Sequence, residues 1–259
     1  MAFIDFLAFQ EGLLLIAAAI VGFVGLNVWW AMRHNDQEGV KSALKAGAIP
    51  IGAVGVIATA LAVWAEETWP FPAIPGTNLA SYNIFFTDVY LLFGMTLVIL
   101  GVTMALRLKL AYVGLFALVA GAITMGYGWN GYILSMTKEP LETFLMYLAF
   151  GGVGLFAFPA TIMTDHFLAH PDGTAFAFGV GSPTARSRPS LQGASRAVQP
   201  VVPGVAPEGT ETETVVAKFH LPAYVTAYAW VFLGIVALAG YAAFAYLLAT
   251  LPGHLIAAP

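Results

Sequence analysis

Along the chain, apolar residues collect into runs about as long as the bilayer's hydrocarbon is thick, separated by short polar stretches. About 20 mainly apolar residues in a helix cross roughly 30 Å of hydrocarbon, and six segments reach that length. They cover residues 13–32, 46–65, 89–106, 110–134 and 144–164, and run from 222 to about 251. Polar and apolar positions do not alternate within them, and each far exceeds a barrel strand, so they read as helices. The predicted fold is all-α: a polytopic membrane bundle of six transmembrane helices. Residues 1–165 form a five-helix core, 166–221 a histidine-bearing helix end and a long Pro/Gly-rich loop, and 222–259 the sixth span with a short external tail.

Composition agrees. Only 9% of the 259 residues are charged, against roughly a quarter in a soluble domain, and the mean hydropathy is +0.82. A net charge of −4 leaves no basic surplus for phosphates, so nucleic acid is excluded as a partner. The absence of cysteine excludes disulfides, thiolate metal sites and covalent c-type haem.

The basic residues set the expected orientation. Arg33, Lys41 and Lys45 lie between the first and second spans, Arg107 and Lys109 between the third and fourth, and Arg186, Arg188, Arg196 and Lys218 between the fifth and sixth. Only Lys138 falls on the opposite side. By the positive-inside rule these loops are cytoplasmic and both termini are outside. Together with the missing cysteines, this fits a prokaryotic plasma membrane. Residues 1–10 lack the basic start of a secretory signal and read as a short interfacial lead-in carrying Phe3, Phe6, Leu7 and Phe9. Residues 171–215, without apolar periodicity, read as a long cytoplasmic linker.

Small residues four apart (Ala48/Gly52, Ala117/Gly121, Ala122/Gly126, Ala239/Ala243) predict closely packed helices. Gly151, Gly152 and Gly154 follow no strand, so they read as packing glycines rather than a nucleotide-binding turn. No Asp, Glu, Lys or Arg lies in the middle of any span. Coupled carriers and pumps usually keep such a group there.

Chemistry is therefore expected in two polar belts. The outer belt holds Glu66, Glu67, Trp69-Pro70-Phe71-Pro72, Tyr82, Asn83 and Asp88, facing Trp129, Asn130, Tyr132 and Glu142. Asp88 reads first as a helix cap. The alternative makes Glu66, Glu67, Asp88 and Glu142 part of an external cation or substrate site. The run Trp69-Pro70-x-Pro72 with Ser81-Tyr82-Asn83-Ile84-x-Phe86-x-Asp88-x-Tyr90-Leu91-Leu92-Phe93-Gly94 resembles an uncharacterised family of archaeal and bacterial polytopic membrane proteins. The likeness covers about residues 10–165 and implies no activity, substrate or catalytic residue.

The inner belt holds His34, Asp165, His166, His170 and His220. His166 and His170, four apart, fall on one helix face, the spacing of two ligands to one metal. Asp165 is placed as a third ligand or outer acceptor, with His34 and His220 at the same level, for Zn, Cu or Fe. Haem b is a lesser alternative, and dipole-compensating histidines at a helix end are the simpler reading. The expected role is a non-catalytic subunit that assembles with itself or with other membrane subunits. The alternatives are a metal- or haem-binding redox subunit and a channel or carrier for a small solute.

Overall fold

The computed structural model describes residues 6–68, 84–137, 139–169 and 223–257. Six long helices account for nearly all of them: α1 (Phe6–Arg33), α2 (Gln37–Thr68), α3 (Val89–Ala105), α4 (Ala111–Ile133), α5 (Pro140–Ala169) and α6 (Ala223–Ala257). A single π-turn, Ile84–Asp88, runs straight into α3. Strands do not occur among the described residues. Each long helix, α3 taken with its π-turn, is long and apolar enough to cross a membrane. Phe23, Ile49, Tyr112 and Tyr241 point outward. So broad an exposed apolar face suits lipid and would be an aggregation hazard in water. The protein is an integral, multi-pass membrane protein.

Every helix packs on its neighbours in sequence, and α6 returns to α1, so the six close into a ring. Three turns end their helices alike, with a left-handed residue at Asn35 (φ 55°), Arg107 (φ 55°) and Ser135 (φ 48°). After α1, Asp36 N–H donates to Ala31 O and Asn35 N–H to Met32 O. The same pair of bonds recurs after α3 and α4, which is the Schellman arrangement, here without its usual glycine.

The closest approaches are within the hairpins α2/α3 and α4/α5. A Cβ at Gly101 would lie 2.6 Å from Gly52 Cα, and one at Gly121 would lie 2.5 Å from the Gly151 carbonyl oxygen. Backbone touches backbone there, as the small-residue spacing predicts for Ala48/Gly52 and Ala117/Gly121. Ala239 and Ala243 are fully buried. Ala122/Gly126 departs from the expectation: both are exposed, and nothing lies near Gly126. Among the described residues, that face of α4 meets no helix.

A second correction concerns the N-terminus. Phe6 to Gln10 are no separate lead-in but the first turns of α1. Residues 1–5 and the loop 171–215 lie outside the described residues.

Candidate functional site

The residues of α1 that face the ring's interior recur every three or four positions: Gln10, Leu14, Ala17, Val21, Val28 and Met32 among them. This is the inward stripe of a packed helix. Extended to its start, the stripe brings Gln10 and Glu11 in among the helices, 4% and 2% exposed. They form one end of a cavity of about 270 Å³ to which all six helices contribute. Its other end reaches Trp29 and Met32. From Glu11 to Trp29 is 18 residues of α1, or about 27 Å at 1.5 Å per residue.

Beside Gln10 and Glu11 stand Tyr90, at the start of α3, and Tyr147, on α5. Glu11 is close enough to act electrostatically on both phenols. Tyr147 is fixed: its ring stacks on Phe85 with centroids 4.8 Å apart, and its hydroxyl donates to the Phe85 carbonyl at 2.7 Å. Glycines on α4 make room for the pair. A Cβ at Gly128 would lie 2.4 Å from Tyr147 Cβ, and one at Gly131 would lie 2.3 Å from Phe85 Cε2. The π-turn therefore packs into α4 and α5 and carries Tyr90 to the cavity.

Tyr90 differs from Tyr147. Among the described residues its hydroxyl is buried without a hydrogen-bond partner, as are Gln10 Nε2, Glu11 Oε2 and, at the far end, Trp29 Nε1. Buried polar atoms are overwhelmingly paired in folded proteins, because an unpaired one forfeits its bonds to water. The other polar groups in the wall are occupied. Thr96, Thr124 and Thr164 each donate to a carbonyl of their own helix, at 2.7–2.9 Å, and Tyr228 donates to the Phe156 carbonyl. The cavity is thus an apolar tube with a polar end, and among the described residues no Lys, Arg or His lines it.

Residues 1–176 match a family described as proteins of unknown function, DUF981. The chain belongs to DUF981. The match takes in α1 to α5 whole and stops short of α6. The DUF981 portion thus supplies Gln10, Glu11, Tyr90 and Tyr147, while α6 adds Tyr228 and Phe232 to the cavity wall. No curated protein and no solved structure matches the chain.

The inner belt stands at the end of the bundle opposite Glu11. Gln37 Nε2 donates to Phe167 O at 2.8 Å, and Val40 and Phe167 share an apolar cluster with Met32. His34 and His166 therefore lie at one end, as expected from sequence. Asp165, though, spends both oxygens on the start of α4, accepting Leu110 N–H at 3.0 Å and Ala111 N–H at 2.8 Å. His34 Nδ1 is bonded to Trp30 O at 2.8 Å. Among the described residues no three His, Asp or Glu side chains gather as a ligand set. His170 and His220 lie outside the described residues.

At the other end, Asp88 does not cap α3. It sits in helical conformation, since the π-turn continues into α3, and makes no capping bond. Its carboxylate instead accepts Tyr127 O–H at 2.9 Å. Glu66 is near enough to act on the same phenol. Glu66, Glu67, Asn130 and Glu142 are exposed, and Asn130 donates to Gly126 O at 2.8 Å. Tyr82 and Asn83 lie outside the described residues.

Sequence reasoning missed Gln10, Glu11 and Tyr90 as a group. A first span begun at Leu13 leaves Glu11 outside it, whereas α1 begins at Phe6 and buries Glu11. The spacing of Gln10 and Glu11 from Leu14 and Ala17 was the available signal.

Proposed function

We propose that this DUF981 protein holds an elongated, mainly apolar molecule inside its helix ring, with a polar head at Gln10, Glu11 and Tyr90. One observation carries the reading: three buried, unpartnered polar atoms cluster at one end of a long apolar cavity. Such a site accepts lipid-like or isoprenoid-like chains, and it favours the binding or carrier role over a passive subunit. The passive reading rests in part on polar residues being confined to the two surfaces, and Glu11, buried near the start of α1, is an exception to that. No catalytic step is assigned.

The topology belongs to the same proposal. Arg33, Lys41, Arg107 and Lys109 lie at the end opposite Glu11, so the polar end of the cavity faces outward and the basic turns face the cytoplasm. The broad apolar outer face suits lipid or a second helix bundle equally, so assembly with itself or other membrane subunits stays part of the proposal.

Native mass spectrometry of the protein, released from its own membranes in mild detergent, tests the binding role. The expected result is a mass above the bare 27.4 kDa chain, carried by an organic adduct that a cavity-filling Ala120→Phe variant loses. A bare chain in the wild type overturns the binding role. A particle of several chains without adduct returns the subunit reading.

A further inference from the structure

We infer that the end of the cavity opposite Glu11 is a second binding site, where the Trp29 indole N–H and the Arg33 guanidinium together hold a phosphate-type oxyanion, carried on a lipid headgroup or as the free ion. The site goes beyond the binding role proposed above, and it shares no residue with Gln10, Glu11 and Tyr90.

Trp29 is 6% exposed and lines the cavity, and its Nε1–H has no hydrogen-bond partner among the described residues. Its neighbours explain why. The Trp230 and Trp30 rings stand 4.8 Å and 6.3 Å away, centroid to centroid, and an indole nitrogen donates without accepting. Val28 on α1 and Ala229 on α6 line the cavity with no polar side-chain atom. A buried donor left in this way is a cost that a ligand with an acceptor removes.

Arg33, in the last turn of α1, brings its guanidinium over the Trp29 ring, 5.6 Å from the centroid. It forms no ion pair among the described residues. The carboxylates at this end are engaged elsewhere. Asp36 accepts Gly39 N–H at 2.8 Å, Glu38 pairs with Lys41 at 2.6 Å, and Asp165 accepts Leu110 and Ala111 N–H.

Both groups are donors only, and neither changes its protonation near neutral pH. Their joint demand is therefore fixed: an acceptor for the N–H and negative charge for the guanidinium. A neutral carbonyl, ether or hydroxyl meets the first alone, and an ammonium meets neither. An oxyanion meets both, through charge-assisted bonds roughly twice as strong as neutral ones. The N–H lies in the ring plane while the guanidinium stands over the ring, so the two donors diverge. The tetrahedral oxygens of a phosphate suit that divergence. Arg107 and Lys109, at the same end of the bundle, strengthen the attraction of an anion.

The test is native mass spectrometry of the delipidated full-length protein in an uncharged detergent, titrated with phosphatidylglycerol or with diacylglycerol of the same chains. Phosphatidylglycerol is expected to bind at about tenfold lower concentration, the gain of one charge-assisted bond. Trp29→Phe keeps a ring and removes the N–H, and Arg33→Gln removes the charge. Each is expected to cut the preference severalfold and to leave diacylglycerol binding unchanged. Glu11→Leu, at the other end, is expected to leave the preference in place, so the two sites fail separately. Displacement of phosphatidylglycerol by millimolar inorganic phosphate would name the free ion as a ligand. No displacement would name the lipid headgroup.

Equal binding of the two lipids overturns the site. A preference that survives intact in either Trp29→Phe or Arg33→Gln also overturns it, since the anion is then drawn to the basic turns at large. If Trp29→Phe does not fold, the indole N–H spectrum of the wild type decides. One of the six tryptophan signals is expected to move with phosphatidylglycerol and not with diacylglycerol, and a spectrum in which none moves overturns the site.

Discussion

Asp165, near the end of α5, accepts the backbone N–H of Ala111 at 2.8 Å and so caps a helix to which it does not belong. Its other oxygen takes Leu110 N–H at 3.0 Å. One carboxylate thereby satisfies two of the free N–H groups at the start of α4, where negative charge also complements the helix dipole. The same contact pins the ends of α4 and α5 together.

Asp165→Ala is accordingly expected to lower stability by about 1–2 kcal/mol, the usual cost of a lost cap. Asp165→Asn, keeping one acceptor, falls between. Thermal unfolding in detergent, with and without added zinc, measures both effects. A zinc-dependent gain in the wild type that Asp165→Ala removes would support the metal-ligand role expected from sequence.

The α4/α5 seam makes a sharp contrast between neighbouring glycines. Gly121→Ala forces a methyl to 2.5 Å from the Gly151 carbonyl oxygen, and is expected to cost about 1–3 kcal/mol as overpacking. Gly126→Ala, with nothing near it, is expected to be neutral or to stabilise by up to about 1 kcal/mol through helix propensity. Unfolding midpoints of the two variants in one detergent give the comparison. Equal effects would mean that α4 and α5 do not approach as closely as described.

Glu11 links stability to function in opposite senses. A buried carboxyl with an unpaired oxygen is a cost to the empty bundle. Glu11→Leu is expected to stabilise delipidated protein by about 1–2 kcal/mol while weakening retention of the adduct, a trade of activity for stability. Destabilisation in delipidated protein would instead mean that Glu11 already has a partner within the fold.

Ser135 occupies a left-handed position with φ 48° at the end of α4. Glycine there escapes the Cβ clash, so Ser135→Gly is expected to add about 1 kcal/mol and Ser135→Val to subtract at least as much. Thermal unfolding reads both. A loss on Ser135→Gly would contradict the Schellman assignment for this turn.

The sequence by itself determined the number and type of elements. Apolar runs such as 46–65 and 110–134 have few structures open to them in hydrocarbon, because a backbone without water must bond within its own helix. It also pointed to the close approaches at Gly52 and Gly121, since small residues four apart let backbones meet, whereas the same spacing at Ala122/Gly126 left to the tertiary structure which pairs do so. The placement of His34 and His166 at one end followed from counting spans. Tertiary structure decided what the polar residues do. Asp88 reads as a cap until the π-turn extends the helix past it and Tyr127 reaches it from α4. Asp165 reads as a third metal ligand or outer acceptor, and only the fold brings both its oxygens to the start of α4. Gln10 falls in the stretch read as an interfacial lead-in and Glu11 just before the first span, and only five further helices closing around them bring out their burial. The reason is common to all three. Apolar burial is non-directional and leaves a periodic trace in one helix, whereas a hydrogen bond depends on which other helix supplies the partner.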